Sequence, residues 1–157
     1  FARNVCKISD ANSSEFSQIT KNPVIDILPN QNLENDDVGA SMRLGTYPCK
    51  ITPDTVASKI YNNEIIYERH RHRYEVNNKF RKQLEDEGLI FSGLSPDEDL
   101  VEMIELKDHP YFVASQFHPE FKSRPWDPAP MFNSFIKASK NIENVIENVD
   151  DGQKVKD

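Results

Sequence analysis

Apolar positions recur along this chain in two periods, and the switches between them predict its elements. Phe1, Val5 and Ile8 fall at helical spacing with no capping residue before them, so Phe1–Lys7 reads as the last turns of a helix. Ser9–Gln18 is polar and loop-like, and Val24-Ile25-Asp26-Ile27-Leu28 is a short strand of β-branched type. Pro29–Gly39 is a solvated loop rich in Asn, Asp and Glu, and Met42–Ile51 is mostly extended. Thr52-Pro53-Asp54 then opens a helix: threonine caps, proline is tolerated at the first helical position, and aspartate suits the positive end of the dipole. Val56, Ile60 and Tyr61 form its inner face.

Glu64–Val76 is a long extended segment. Asn77 caps a helix over Lys79–Glu87, which Gly88 ends. Leu89–Ser92 and Leu100–Leu106 are strands joined by the turn Ser95-Pro96-Asp97-Glu98-Asp99, a hairpin pattern. Tyr111–Phe117 is the most apolar strand. In Met131–Ser139, Phe132, Phe135, Ile136 and Ser139 follow the helical spacing, and Ile142, Val145, Ile146 and Val149 repeat it. Trp126, among prolines, is expected to cover the edge of the core, and the charged tail from Asp150 is expected to be disordered. No internal repeat is present, and the mixture reads as α/β or α+β with one open sheet edge. Two segments result: 1–140 as the folded part and 141–157 as a helical extension with a charged tail.

Composition narrows the function. With 19 Lys and Arg against 26 Asp and Glu, the chain carries a formal charge of −7, which disfavours nucleic-acid binding by bulk electrostatics. No apolar run approaches the roughly 18 residues of a membrane span. The opening Phe1, without a methionine or a charged leader, predicts no signal peptide and a protein that starts upstream. Cys6 and Cys49 are the only cysteines and form no Cys-x-x-Cys, which argues against a disulfide scaffold and for a reducing, cytoplasmic setting.

Two constellations carry chemistry. His118-Pro119-Glu120 follows the apolar strand directly, which places it at the carboxyl edge of a sheet. Two positions apart on extended chain, His118 and Glu120 point the same way, as a base and the carboxylate that fixes its tautomer would; a surface histidine beside a turn proline is the alternative. Neither cysteine sits in the small-residue turn that exposes a nucleophile between strand and helix, so this pair lacks its nucleophile here. The second constellation is Arg69-His70-Arg71-His72-Arg73-Tyr74-Glu75. On a strand, the three arginines share one face as a receptor for carboxylate or phosphate, or form a solvated basic edge, and the two histidines share the other face. His70-x-His72 has no further ligands at zinc-finger spacing. Taken singly, Glu15 reads as a loop carboxylate and Arg43 as a strand-end charge. No phosphate-cradling glycine motif is present.

Together these segments resemble the CTP synthase family, in its class I glutamine amidotransferase domain. Glu68-Arg69-His70-Arg71-His72-Arg73-Tyr74-Glu75-Val76-Asn77 looks like that family's own run, whereas Gln116-Phe117-His118-Pro119-Glu120 is of a type shared by other class I amidotransferases. Phe1-Ala2-Arg3-Asn4-Val5, Ser14-Glu15-Phe16, Met42-Arg43-Leu44-Gly45 and Leu106-Lys107-Asp108-His109-Pro110 fall in family order, and the likeness runs from Phe1 to about Lys140.

The resemblance implies a flavodoxin-like α/β sandwich, incomplete here because its N-terminal strands and nucleophile elbow are lacking. It implies His118 as catalytic base, Glu120 as its orienting carboxylate, Glu15 as receptor of the α-ammonium of L-glutamine and Arg73 as receptor of its α-carboxylate. The cysteine would lie about ten residues upstream of Phe1, so this chain alone is expected to be inactive. Where the family has a paired glycine and threonine before Met-Arg-Leu-Gly, this chain reads Gly39-Ala40-Ser41. The implied parent is a homo-tetramer whose synthase domain, in the same chain, uses UTP, ATP and Mg²⁺ with GTP as effector, and this segment itself binds no cofactor, metal, nucleic acid or membrane. A non-catalytic module that keeps a glutamine-like pocket for binding or assembly is the alternative.

Overall fold

In the computed structural model, residues 1–27 and 42–140 are described. Strands β1 (Ala11–Ser13), β2 (Asn22–Ile27) and β3 (Arg43–Ile51) precede helix α1 (Val56–Tyr61), which is followed by β4 (Ile65–His72), β5 (Tyr74–Val76) and helix α2 (Asn78–Asp86). Strands β6 (Leu89–Leu94), β7 (Val101–Leu106) and β8 (Val113–Ser115) come next, then the 3₁₀ turn Pro119–Phe121 and a helix, α3, over 130–140. The expected solvated loop Pro29–Gly39 lies outside the described residues, as does the expected extension and tail over 141–157.

Two sheets form. One is antiparallel and five-stranded in the order β4-β3-β6-β7-β8; the other has the order β1-β2-β5, with β1 parallel and β5 antiparallel to β2. The long extended segment expected over Glu64–Val76 is therefore two strands in two sheets. Arg73 is the single residue between them, and the chain changes sheets there. The five-stranded sheet curls: β4 and β8 are its opposite edges, yet Gln116 N donates to Glu102 O on β7 (2.8 Å) and His118 N to Arg69 O on β4 (2.9 Å). The segment after β8 thus spans the sheet.

Two buried clusters hold this arrangement. Cys49, Ile51, Ala57, Tyr61, Ile66, Met103, Phe117 and Met131 form one; residues of β1, α2, β6 and β7 form the other, around Ala11, Leu84, Phe91 and Val101. Gly93 lets β6 lie against the first cluster, since a Cβ there would stand 2.7 Å from Cys49 Sγ and 2.9 Å from the Met103 side chain. Gly88, at φ +95°, takes the left-handed conformation that ends α2.

Several expectations need correction. Phe1–Lys7 makes one turn, closed by Val5 N to Phe1 O (2.8 Å), and does not continue as a helix. The loop expected over Ser9–Gln18 contains β1, because parallel pairing with β2 recruits three residues of low strand propensity. Thr52 does not cap α1: its hydroxyl donates to Phe91 O, and the cap is Thr55, whose hydroxyl accepts from Ser58 N at 3.0 Å in a capping box. The most apolar strand shortens to Val113–Ser115. Trp126 covers nothing, being 84% exposed. On α3, Met131 is buried and Tyr111 anchors the helix through Met131 O, while Phe132, Phe135 and Ile136, whose spacing marked the helix, are exposed. Among the described residues no helix is long and apolar enough to cross a membrane.

Candidate functional site

The run of arginines and histidines on β4 follows strict alternation. Ile66, Glu68 and His70 are buried on one face; Arg69 and Arg71 are exposed on the other. The three arginines do not act as one receptor, however. The Arg69 guanidinium lies over the Phe121 ring at 5.8 Å, while Arg71 and Arg73 line a cavity of about 580 Å³. That cavity is also lined by Glu15 and Phe16, in the turn that follows β1, and by Ser13, His72, Tyr74 and Gln116. Glu15, the carboxylate that read as an ordinary loop charge, is thus brought to the same opening as Arg73. One anion and two cations around a cavity of this size can receive a small zwitterion.

Arg73 holds its place through the backbone. Its Nε is buried without a hydrogen-bond partner among the described residues. Its neighbours are fixed instead: Tyr74 O accepts from Gln116 Nε2 (2.8 Å), and Glu75 Oε1 takes His72 Nε2 at 2.7 Å and Arg43 Nη1 at 3.2 Å. Arg43, on β3, reads in the sequence as a strand-end charge. It is in fact buried, and its Nη2 reaches Glu102 Oε1 of β7 at 2.8 Å. Burial alone would lower the Arg43 pKa, but Glu102 and Glu75 outweigh it and raise it. Glu102 is pushed up by burial, against the opposing pull of Arg43. His70, buried edge-on against Tyr47 and Phe117, is driven down to about 3, first by burial and then by the electrostatic influence of Arg43, His72 and His118. Sequence reading quoted Glu75 within the run but gave it no role, and missed Glu102. The one available signal was Glu102 alternating with the apolar residues of a core strand.

His118 and Glu120 lie on the 3₁₀ turn and just before it. The turn's first residue is Pro119, and the bond from His118 N to Arg69 O fixes the turn against β4. His118 Nδ1 meets Glu120 Oε1 at 2.7 Å, so the two side chains expected to pair do so. Both are partly exposed, and Nε2 makes no hydrogen bond among the described residues. The Glu120 carboxyl lies below its ordinary value, chiefly because its own backbone N–H donates to it and further because of His118. This pair lies outside the lining of the Glu15–Arg73 cavity, although Gln116, two residues before His118, belongs to it. Neither cysteine is available for nucleophilic chemistry: both are buried, and burial pushes the Cys6 thiol up and the Cys49 thiol to about 12.

The family model described as glutamine amidotransferase class-I matches residues 12–138. The CTP synthase of Caldanaerobacter subterraneus subsp. tengcongensis is 59% identical over 143 residues, which are 91% of this chain and 26% of that protein. The CTP synthase of Bacillus subtilis is 56% identical over 144 residues, 92% of this chain and 27% of that one. The chain therefore spans about a quarter of the length of these relatives. Among solved structures, the glutaminase domain of Trypanosoma brucei CTPS with bound acivicin matches with a TM-score of 0.79 at 38% identity, covering 89% of this chain and 54% of that one.

Proposed function

The chain belongs to the class I glutamine amidotransferases, and from that membership we propose that it is the C-terminal part of the glutaminase domain of a CTP synthase. What carries the reading is that one cavity gathers Glu15 and Arg73, opposite charges suited to the α-ammonium and α-carboxylate of glutamine. Glu120 engages His118 Nδ1, which leaves Nε2 to take a proton from a nucleophile and return it to the leaving amine. With Cys6 and Cys49 buried, that nucleophile is assigned to a cysteine upstream of Phe1, and this chain by itself is expected to be inert. The thiolate attacks the side-chain amide carbon, and the carbon–nitrogen bond breaks as His118 protonates the departing ammonia. Water, deprotonated by His118, then cleaves the thioester to glutamate and restores the thiol.

The ammonia would serve the ATP-dependent amination of UTP to CTP in a synthase domain of the same, homo-tetrameric protein, with Mg²⁺ and with GTP as effector. Mg²⁺ is assigned, with the nucleotides, to that other domain, and no step here passes through it.

The test is His118→Ala in the full-length enzyme. Glutamine-dependent CTP formation should vanish, while synthesis from added ammonia continues. Equal loss of both would make His118 a structural residue and remove the base from this scheme.

A further inference from the structure

We propose that Glu75, clamped by Arg43, is the positioning residue that sets where the Arg73 guanidinium stands in the cavity, and hence how tightly the enzyme holds the carboxylate of its amino-acid substrate; the inference rests on the glutamine reading above. Arg73 occupies the one-residue passage from the five-stranded sheet to the three-stranded one. Its direction is therefore a function of how the two sheets are set against each other. Arg73 does not secure itself, because its Nε is buried without a partner among the described residues.

Glu75 stands two residues beyond that passage and is 2% exposed. Its Oε1 is shared by His72 Nε2 of β4 (2.7 Å) and Arg43 Nη1 of β3 (3.2 Å). One carboxylate oxygen on the smaller sheet, just after Arg73, thus ties down two strands of the larger, both before it in sequence. Arg43 extends the tie to a third strand through Glu102 on β7. A buried, charge-assisted clamp of this kind tolerates little displacement, since loss of one partner leaves another charge unpaired away from water. Neither Glu75 nor Arg43 lines the cavity, so their effect on it is indirect, through Arg73 and through the His72 that Glu75 holds.

The experiment is steady-state kinetics of the full-length enzyme with Glu75→Gln, Arg43→Lys and the double variant, alongside Arg73→Ala and Arg71→Ala. Glu75→Gln keeps the shape and removes the charge. Its KM for glutamine should rise about fivefold or more, because small misplacements of a binding group cost tenfold or greater factors. Its kcat at saturating glutamine and its ammonia-dependent rate should stay within about twofold. Arg43→Lys, whose single ammonium cannot reach Glu75 and Glu102 together, should give a smaller KM rise, and the double variant less than the product of the singles. An unchanged KM in both single variants overturns the proposal. So does a parallel fall of kcat, ammonia-dependent rate and melting temperature, which would mark a purely structural clamp. If Arg73→Ala leaves KM unchanged while Arg71→Ala raises it, the proposal is overturned; if neither raises it, it is the glutamine reading that fails.

Discussion

Arg73 and Arg71 face the same cavity, and at the level of single residues the question is which of them receives the substrate carboxylate. Arg73→Ala in the full-length enzyme should raise the glutamine requirement about tenfold or more, as expected for a charge-assisted contact of roughly 1.5–3 kcal/mol. Arg73→Lys should recover only part of this, for want of the bidentate fork, and ammonia-dependent synthesis should be untouched. If instead Arg71→Ala raises KM and Arg73→Ala does not, the receptor lies two residues earlier along the run. The sequence made this cavity only partly legible. Glu15 and Arg73 were singled out through the family resemblance, and the cavity gathers both, whereas His118 and Glu120, singled out likewise, pair outside its lining. His72, Tyr74 and Gln116 could not be picked out, since their arrival at the cavity depends on where the chain changes sheets. Arg43 reads as an exposed charge because nothing local reveals the carboxylates that β5 and β7 bring to it.

Elements were legible wherever a local period or cap decides them. The strand of β2, the hairpin of β6 and β7, and α2 with its Asn77 cap and Gly88 stop stand where propensity places them. Tertiary partners decided the rest. Helix α1, of six residues, starts at Val56 and not beside Pro53, because Glu105 of β7 reaches its first turn. The Glu105 carboxylate accepts from Val56 N at 2.8 Å and Ala57 N at 3.0 Å while 2% exposed. A short helix cannot sustain itself without such partners. Glu105→Ala should therefore destabilise the glutaminase domain by roughly 1–3 kcal/mol, through one buried and one half-buried donor left without a partner and the lost charge at the helix N-terminus. Glu105→Gln should recover part of that. Thermal unfolding of the variants measures both, and an unchanged melting temperature in Glu105→Ala would mean that the capping box of Thr55 and Ser58 suffices.

Across the molecule, the curled sheet encloses an ionisable interior that composition could not disclose, and that interior makes stability depend on pH. His70 is neutral when folded, its pKa near 3 against an ordinary value near 6.5. Between these values the unfolded chain binds the extra proton, so stability is fully present above about pH 6.5 and is lost as pH falls, by at most about 1.4 kcal/mol per pH unit. Glu102, held above its ordinary value, works in the opposite sense: it keeps its proton longer when folded, so its contribution fades as pH rises. Comparing the full-length enzyme with His70→Phe, which retains ring contact with Tyr47 and Phe117, isolates the histidine. The stability advantage of the parent should shrink steadily from pH 6.5 to pH 4.5; an advantage flat in pH would show that His70 titrates alike folded and unfolded. The passage at Arg73 bears on the whole molecule in another way. Because one residue joins strands of two sheets, an insertion or deletion between Arg69 and Glu75 cannot be absorbed as in an ordinary loop. A change of one residue would turn every side chain of one strand to its opposite face while leaving the other in register. The length of this run is therefore as strictly constrained as its composition.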